Sequence, residues 1–588
     1  MEIKRIFELL PHQQAHTPKS DILAYKVKGQ WVKYSTDELI RKANSVSLGL
    51  LKIGIKRNDK VAIISPNRPE WNFVDFGIQQ IGAVSVPMYP TITEEEYAYI
   101  FRDSGVKVVF VADEKLYAKA SKVAAQIPEI QVIYTFDRIE GANFWTDLTD
   151  LAKDDDPALL EQHKAAIQPE DLLTLIYTSG TTGNPKGVMI THNNLVANIE
   201  GSMPAVPVTS TSIALSFLPL CHVYERMVHY LYMYVGVSVY YAESMDTIAD
   251  NLKEIKPNIF VTVPRLLEKV YDKIVIKGYE LTGIKRALFF WALELGLQYE
   301  VGTDKGWWYN FQLKLANKII FNKWREALGG NVVAIVSGGA ALQPRLARVF
   351  WAAQVKVIEG YGLTETSPVI AVNRVEPENA RVGTVGTIIN NVQVSFATDG
   401  EILVKGPSIM KGYYNKPELT AEAIDAEGWF HTGDIGELVE GRFLKITDRK
   451  KEMFKTSGGK YVAPQPIENS LKESVIIEQV MVVGEGQKFP AALVVPSVQG
   501  LKDWCEVKHI PFNSLAEVLK NEQVVSKFNK EVQKCNEHLA QYEQIKKIVV
   551  LPDAWGVDSG EMTPTLKLKR KFISNKYKKE IESIYENV

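Results

Sequence analysis

The chain is 588 residues long, 46% hydrophobic and 23% charged, with a formal net charge of −2. That length exceeds what one hydrophobic core can serve, so roughly two to four domains or subdomains are expected. The near-neutral balance supplies no global field for nucleic acid. Three distant cysteines, Cys221, Cys505 and Cys535, fit free thiols in a reducing compartment and exclude a disulfide framework.

The first ten residues, Met1 to Leu10, are charged within their first turns and lack the apolar core of a secretory signal. A membrane span needs about 18 uncharged apolar residues. Leu231–Tyr241 is too short, and Leu288–Leu297 is interrupted by Glu294. A cytoplasmic protein is expected, with any membrane contact peripheral and on the inner face. Short apolar runs at Val61–Ile64, Val106–Val111, Leu172–Tyr177, Ile259–Val263, Val332–Val336 and Val355–Ile358 predict strands. Helical patterns such as Glu70–Ile81 and Glu94–Phe101 fall between them, which is the alternation of a layered α/β fold.

The most specialised stretch is Thr178-Ser179-Gly180-Thr181-Thr182-Gly183-Asn184-Pro185-Lys186-Gly187. Gly180, Gly183 and Gly187 permit turns that aim backbone N–H groups into one concavity. Thr178, Ser179, Thr181 and Thr182 add hydroxyl donors, and Lys186 adds a mobile charge, so the loop can wrap a polyphosphate. A plain surface turn would not follow a core-like strand. Nor is this a Walker loop, because Pro185 precedes Lys186 and Gly187 follows it.

Residues 273–330 are helix-patterned and aromatic-rich, with Trp291, Trp307, Trp308, Phe311 and Trp324 among them. They read either as a helical insertion packed on the body or as a surface that touches lipid or lines an acyl tunnel. Ser337-Gly338-Gly339-Ala340-Ala341 offers small residues beside which a base could approach the backbone. Glu359-Gly360-Tyr361-Gly362-Leu363-Thr364-Glu365-Thr366 follows a predicted strand, where open α/β sheets bind ligands. Tyr361 offers a flat face for a purine, Thr364 a hydroxyl, and Glu365 a hard oxygen suited to Mg²⁺.

In Trp429-Phe430-His431-Thr432-Gly433-Asp434, Asp434 suits either both hydroxyls of a ribose or an ordinary turn. A boundary is expected after Thr447, which gives a domain over 1–447 and a charged joint over 448–453. The remainder, 454–588, reads as a small α+β domain, with strands Val480–Val483 and Ala492–Val495 and helices across 513–540. Near the C-terminus, Thr563-Pro564-Thr565-Leu566-Lys567-Leu568-Lys569-Arg570-Lys571 is basic, and most of those charges suit a solvated face.

The order and spacing of these motifs resemble the acyl-adenylate-forming superfamily, and within it the AMP-forming acyl-CoA synthetases, over nearly the whole chain. The long-chain fatty acid synthetases look closest, on Leu218 to Arg226, on Val263-Pro264-Arg265-Leu266 and on the joint Asp448 to Met453. The resemblance implies a large, multi-subdomain N-terminal domain of layered sheets and helices and a small mobile C-terminal domain. By position, Thr178 and Glu365 would hold Mg²⁺, and the loop from Ser179 to Lys186 would close on the β- and γ-phosphates. Tyr361 would flank the adenine, with Gly339, Ala340 and Gly362 nearby, while Asp434 and Arg449 would hold the ribose. His222 would border the acyl and pantetheine tunnels; read without the resemblance, it is equally a core histidine. Thr364, Glu365 and His222 would join Lys567 as catalytic residues. Lys567 would bridge the carboxylate and the α-phosphate, although the family's usual glycine before this lysine is Leu566 here, and Lys569 competes with it. The small domain would turn about Asp448, exchanging Lys567 for the face that bears Ser457, Gly458 and Gly459 and admits CoA.

The substrates so implied are a fatty acid, ATP and CoA, joined through an acyl-AMP with release of pyrophosphate. A ligase that hands the acyl group to a carrier protein, a luciferase-like oxygenase and a non-catalytic lipid-binding scaffold are the competing readings. The first is disfavoured because no carrier domain is evident, and the last because the motif residues are intact. Chain-length preference and oligomeric state, a homodimer included, stay open.

Overall fold

The continuous apolar runs fold as strands buried on both faces, as parallel central strands must be. In a computed structural model that describes residues 3–178, 184–557, 559–563 and 567–586, Val61 to Ile64 are fully buried within the strand Lys60–Ile64. This strand lies between the parallel strands Val84–Met88 and Val106–Val111. Leu172–Thr178 extends the same eight-stranded sheet, followed by the antiparallel Lys186–Thr191 and by the edge strand Gly412–Tyr413.

A second, thirteen-stranded sheet carries the rest of the large domain. Its parallel strands Ile213–Ser216, Ile259–Thr262, Ala334–Ser337 and Val357–Gly362 give way to antiparallel pairing at Val369–Val372. It continues through Thr387–Ile388, Phe443–Arg449, Phe430–Val439 and Glu401–Lys405. Helix starts follow local chemistry. Ser35 and Glu38 form a capping box on Thr36–Lys52, and Thr93 and Glu96 form one on Glu94–Ser104.

Two expected strands are displaced along the chain. The run at Val332 begins its strand only at Ala334, because Val333 is exposed. The run at Val355 begins at Val357 and continues through Gly362, so half of the glycine-rich motif is strand rather than loop. Gly360, Tyr361 and Gly362 pair with Val372, Ala371 and Val369. A Cβ on Gly362 would stand 1.7 Å from the Pro368 carbonyl oxygen, so only glycine lets the strands approach this closely.

The aromatic-rich stretch is helical: Pro264–Glu280, Gly283–Leu297, Trp307–Ala316 and Asn322–Ala327. Phe289, Phe321 and Trp324 from it share a core with Phe260, Leu346 and Phe350 of the body. The smaller C-terminal domain is built on Ile477–Val483, Ala491–Pro496 and Lys547–Val550. Period-two alternation sends Val480, Val482, Ala492 and Val494 into one core and Met481, Val483, Ala491 and Leu493 into another. Helix Glu522–Asn536 covers the first core, and Trp555, Ile573 and Tyr577 cover the second.

Candidate active site

The two ends of the glycine- and threonine-rich loop are held together by the sheet. Thr178 stands opposite Lys186 in the antiparallel pair, and both line a cavity of about 1940 Å³. Ser179, Gly180, Thr181, Thr182 and Gly183 lie outside the described residues. The edge strand Gly412–Tyr413 brings a further residue here. The Lys186 Nζ lies 4.7 Å from the centroid of the Tyr413 ring, and the Tyr413 hydroxyl donates to Glu365 Oε1 at 2.9 Å. Local sequence gave no sign of this tyrosine, since only the long-range pairing of Tyr413 with Val188 places it.

Glu365 sits in the 3-10 turn Thr364–Thr366, which is anchored from both sides. The Met410 N–H donates to the Glu365 carbonyl at 2.8 Å, and Asn198 Nδ2 donates to the carbonyls of Thr366 and Val369 at 3.2 and 2.8 Å. Thr364 is buried and, like Glu365, lines the cavity.

Across the cavity, the strand Phe430–Val439 presents Asp434 to two donors. Tyr361 Oη donates to Oδ2 at 2.6 Å, and Arg449 Nε lies 3.1 Å from Oδ1. Burial pushes the Asp434 carboxyl above its usual range, and the Arg449 charge opposes that shift. The carboxylate is thus held by an aromatic hydroxyl and a guanidinium rather than standing free on a turn.

Lys567 enters from the C-terminal domain. Its backbone is pinned by Thr563: the Thr563 N–H donates to the Lys567 carbonyl at 2.8 Å, and Thr563 Oγ1 accepts from the Lys567 N–H at 3.1 Å. The side chain keeps accessible surface because the cavity is open, yet protein groups crowd round it. That crowding and the like charge of Arg449 lower its pKa to about 8, against the attraction of Asp434, Glu452 and Glu365. Lys569 also lines the cavity.

His222 caps the helix Val223–Val235, its Nδ1 accepting from the Tyr224 N–H at 3.2 Å. Burial, and then the charge of Lys567, lower its pKa to about 4, so the ring is neutral near pH 7. It lines the cavity, as do Val223, Met227, Val228, Leu231 and Tyr232 from one face of that helix. A polar end and an apolar wall therefore belong to one space.

The structure gathers Thr178, Lys186, His222, Gly339, Tyr361, Gly362, Thr364, Glu365, Asp434, Arg449 and Lys567 on that cavity. Ala340 is exposed, Asp448 is buried, and Ser457, Gly458 and Gly459 lie in an exposed turn; none of these five lines the cavity, although the Ser457 N–H donates to the carbonyl of Gln487, which does. Sequence reading also missed Arg570, which links Glu452 to the helix Pro464–Leu471. Its Nε donates to Glu452 Oε2 at 3.0 Å and its Nη2 to Glu468 Oε2 at 2.6 Å. Arg265 reaches the C-terminal domain from the large one, pairing with the Glu478 side chain.

Residues 10–414 match the family model of the AMP-binding enzymes, and residues 452–588 match that of the AMP-binding enzyme C-terminal domain. The chain belongs to the AMP-binding enzyme family. This AMP-binding enzyme is 33% identical over 565 residues to the long-chain-fatty-acid–CoA ligase FadD15 of Mycobacterium tuberculosis, covering 95% of the chain and 93% of the relative. It is 31% identical over 594 residues to the human long-chain-fatty-acid–CoA ligase 1, covering 95% and 83%. Its fold is that of the adenylation domain of a carboxylate reductase from Mycobacterium chelonae, with a TM-score of 0.75, 22% identity and coverage of 99% and 91%. An anthranilate CoA ligase crystallised with anthranoyl-AMP shares the fold at a TM-score of 0.71, with 19% identity and coverage of 97% and 96%.

Proposed function

We propose that the protein is an AMP-forming long-chain fatty acid–CoA ligase. The observation that carries the reading is one cavity with two characters. Lys186, Glu365, Asp434, Arg449 and Lys567 crowd its polar end, and the helix Val223–Val235 supplies an apolar wall. The likeness to long-chain ligases over 95% of the chain supports the same substrate class.

A carboxylate is a poor acyl donor because its leaving group would be an oxide. Attack on the α-phosphorus of ATP gives an acyl-AMP and pyrophosphate, and the CoA thiolate then displaces AMP to form the thioester. The first step brings anions together, so positioning and charge compensation do most of the work. Asp434 would accept from the ribose hydroxyls, in a geometry fixed by Tyr361 and Arg449. The Lys567 ammonium would sit between carboxylate and α-phosphoryl oxygens, compensating charge as it builds. A neutral His222 borders the acyl path without adding a second cation.

Glu365 and Thr178 fit Mg²⁺, because a carboxylate and a hydroxyl are hard oxygen donors and the ion takes its remaining ligands from water and phosphates. Tyr413 fixes one oxygen of that carboxylate. When bound, the ion neutralises phosphate charge.

The chain divides, in this reading, into a domain over 1–447, a joint at 448–453 and a domain over 454–588. Rotation at the joint would withdraw Lys567 after adenylation and bring Ser457, Gly458 and Gly459 toward the thiol of CoA.

The deciding test is fatty-acid-dependent pyrophosphate release from Mg-ATP, with and without CoA, with the acyl product identified. Sustained turnover that needs CoA and yields acyl-CoA, best on long chains, is the expected result. Accumulation of acyl-AMP regardless of CoA would instead mark a ligase that serves a carrier protein.

A further inference from the structure

The helix Val223–Val235 offers two faces. One lines the cavity with Met227, Val228 and Leu231, and His222 caps its start. Another carries Arg226 and Tyr230, four residues apart and both completely buried. The Arg226 guanidinium is not on the cavity wall; it crosses to the layer of the other sheet. Its Nη2 donates to Asp75 Oδ1 in the helix Pro69–Gln79, and to Ser85 Oγ at 2.8 Å in the strand Val84–Met88. Its Nη1 donates to Thr174 Oγ1 at 2.9 Å, in the strand Leu172–Thr178. Its Nε donates to Tyr230 Oη at 2.8 Å, and that hydroxyl donates in turn to Asp75 Oδ2. Gln79 Nε2 donates to the same oxygen at 2.8 Å, and Thr174 Oγ1 donates to the Ser85 carbonyl at 2.8 Å.

Both members of the Arg226–Asp75 ion pair are fully out of water. Burying such a pair costs desolvation energy, and apolar residues of the same volume often stabilise a fold as well or better. What apolar packing lacks is direction. Four hydrogen bonds from one planar guanidinium set the helix against the opposite sheet in a single placement. The two parts so registered are the two ends of the cavity. The helix follows the strand Ile213–Ser216 of the thirteen-stranded sheet and carries the apolar wall. Thr174 belongs to the eight-stranded sheet, four residues before Thr178, which stands opposite Lys186 at the stem of the glycine- and threonine-rich loop.

We propose that Arg226, paired with Asp75 and tied to Thr174, is a positioning residue that registers the acyl wall against the nucleotide end of the cavity for adenylation. This rests on the ligase reading above. Adenylation joins two separate ligands: a carboxylate oxygen attacks the α-phosphorus, a P–O bond forms, and pyrophosphate departs. Their relative placement depends on the two walls, and an error of about 1 Å can cost about 10²-fold in rate. Once the acyl-AMP exists, a covalent bond fixes that placement. Thiolysis by CoA then no longer needs the register.

The test compares two half-reactions of the full chain: pyrophosphate release from Mg-ATP with a long-chain acid, and acyl-CoA formation from supplied acyl-AMP and CoA. Asp75→Leu/Arg226→Met removes both charges together at similar volume. Thr174→Val keeps the ion pair and removes only the tie to the strand. The double variant should hold a Tm near that of wild type while its kcat for adenylation falls at least about tenfold, with the KM for ATP and for the acid each within about threefold. Thr174→Val should slow the same step about fivefold, and thiolysis should stay within about twofold in both variants. A purely structural pair would move the Tm without splitting the half-reactions. The inference is overturned if a folded variant adenylates at the wild-type rate, or if either variant slows both half-reactions by the same factor. Should the double variant not fold, Thr174→Val decides alone. If wild type forms no acyl-AMP, the ligase reading fails and this inference falls with it; a wild type that forms acyl-AMP while the variants show no split overturns this inference alone.

Discussion

The Tyr361 hydroxyl donates to Asp434 Oδ2 at 2.6 Å, across two strands of the larger sheet, and leaves Oδ1 to Arg449. Each carboxylate oxygen accepts more than one hydrogen bond, so Asp434 can hold ribose hydroxyls while these two donors fix its plane. Removing one donor should therefore loosen the nucleotide without touching the acyl end. Tyr361→Phe is expected to raise the KM for ATP about tenfold, or roughly 1.4 kcal/mol, because the lost bond is to an ionised group. Steady-state kinetics in ATP and in CoA check it. An equal rise in both constants would mean that Tyr361 acts on the whole domain rather than on the ribose site.

Lys567 titrates near its working range. With its pKa lowered to about 8, the ammonium is present below that pH and lost above it. The kcat/KM for pyrophosphate exchange should fall as pH rises through about 8, since this parameter reports the free enzyme. Lys567→Arg should carry the activity to higher pH, and Lys567→Ala should lower it by about 10²–10³ at neutral pH. An unchanged pH limb in Lys567→Arg, with Lys569→Ala abolishing it, would transfer the role to Lys569.

Tyr413 holds Glu365 in place and lies under Lys186. Tyr413→Phe keeps the ring and removes only the hydroxyl. The expected outcome is a Mg²⁺ midpoint raised about fivefold, with little change in saturated rate, because one orienting hydrogen bond is worth about 1 kcal/mol. A Mg²⁺ titration at fixed ATP reads it, and a wild-type midpoint would remove Tyr413 from the metal's support.

Two glycines separate packing from conformation. Gly362→Ala would drive a Cβ to 1.7 Å from the Pro368 carbonyl oxygen, between two paired strands that cannot part cheaply. A loss of about 3 kcal/mol, or no soluble protein, is expected. Gly433→Ala has a φ of +73° but open space, so it should cost only about 1 kcal/mol. Thermal denaturation compares them. Equal Tm values would refute the steric argument.

The Arg265–Glu478 pair joins the large domain to the small one. Arg265→Ala should weaken the arrangement that holds Lys567 on the cavity. Adenylation is expected to slow several-fold while thioester formation from supplied acyl-AMP is kept. Separate assays of the two half-reactions decide this, and equal slowing of both would count against it.

Much of the cavity's lining was legible in the chain because its residue types stand in short runs. The loop at 178–187, the motif at 359–366 and Asp434 each carry their residue types within a few positions, where glycine conformation and strand ends act locally. Tyr413, Arg570 and the Arg265–Glu478 contact were not legible. Their roles arise from pairing between distant segments, and a tyrosine or arginine in isolation carries no mark of that. Ala340 shows the opposite limit: it stands in a suggestive run, yet the turn after Ser337 points it to solvent.

The sequence by itself determined the alternation of apolar runs and helices, the glycine- and threonine-rich composition of one loop and the family to which the chain belongs, because these depend on residue type and spacing alone. Tertiary structure decided which tyrosine steadies Glu365, and which aromatic residues are core and which face outward. Those outcomes depend on long-range strand register and on which face of each helix is covered. Trp324 and Trp308 are the same residue type in the same stretch, and only packing buries the first and leaves the second exposed.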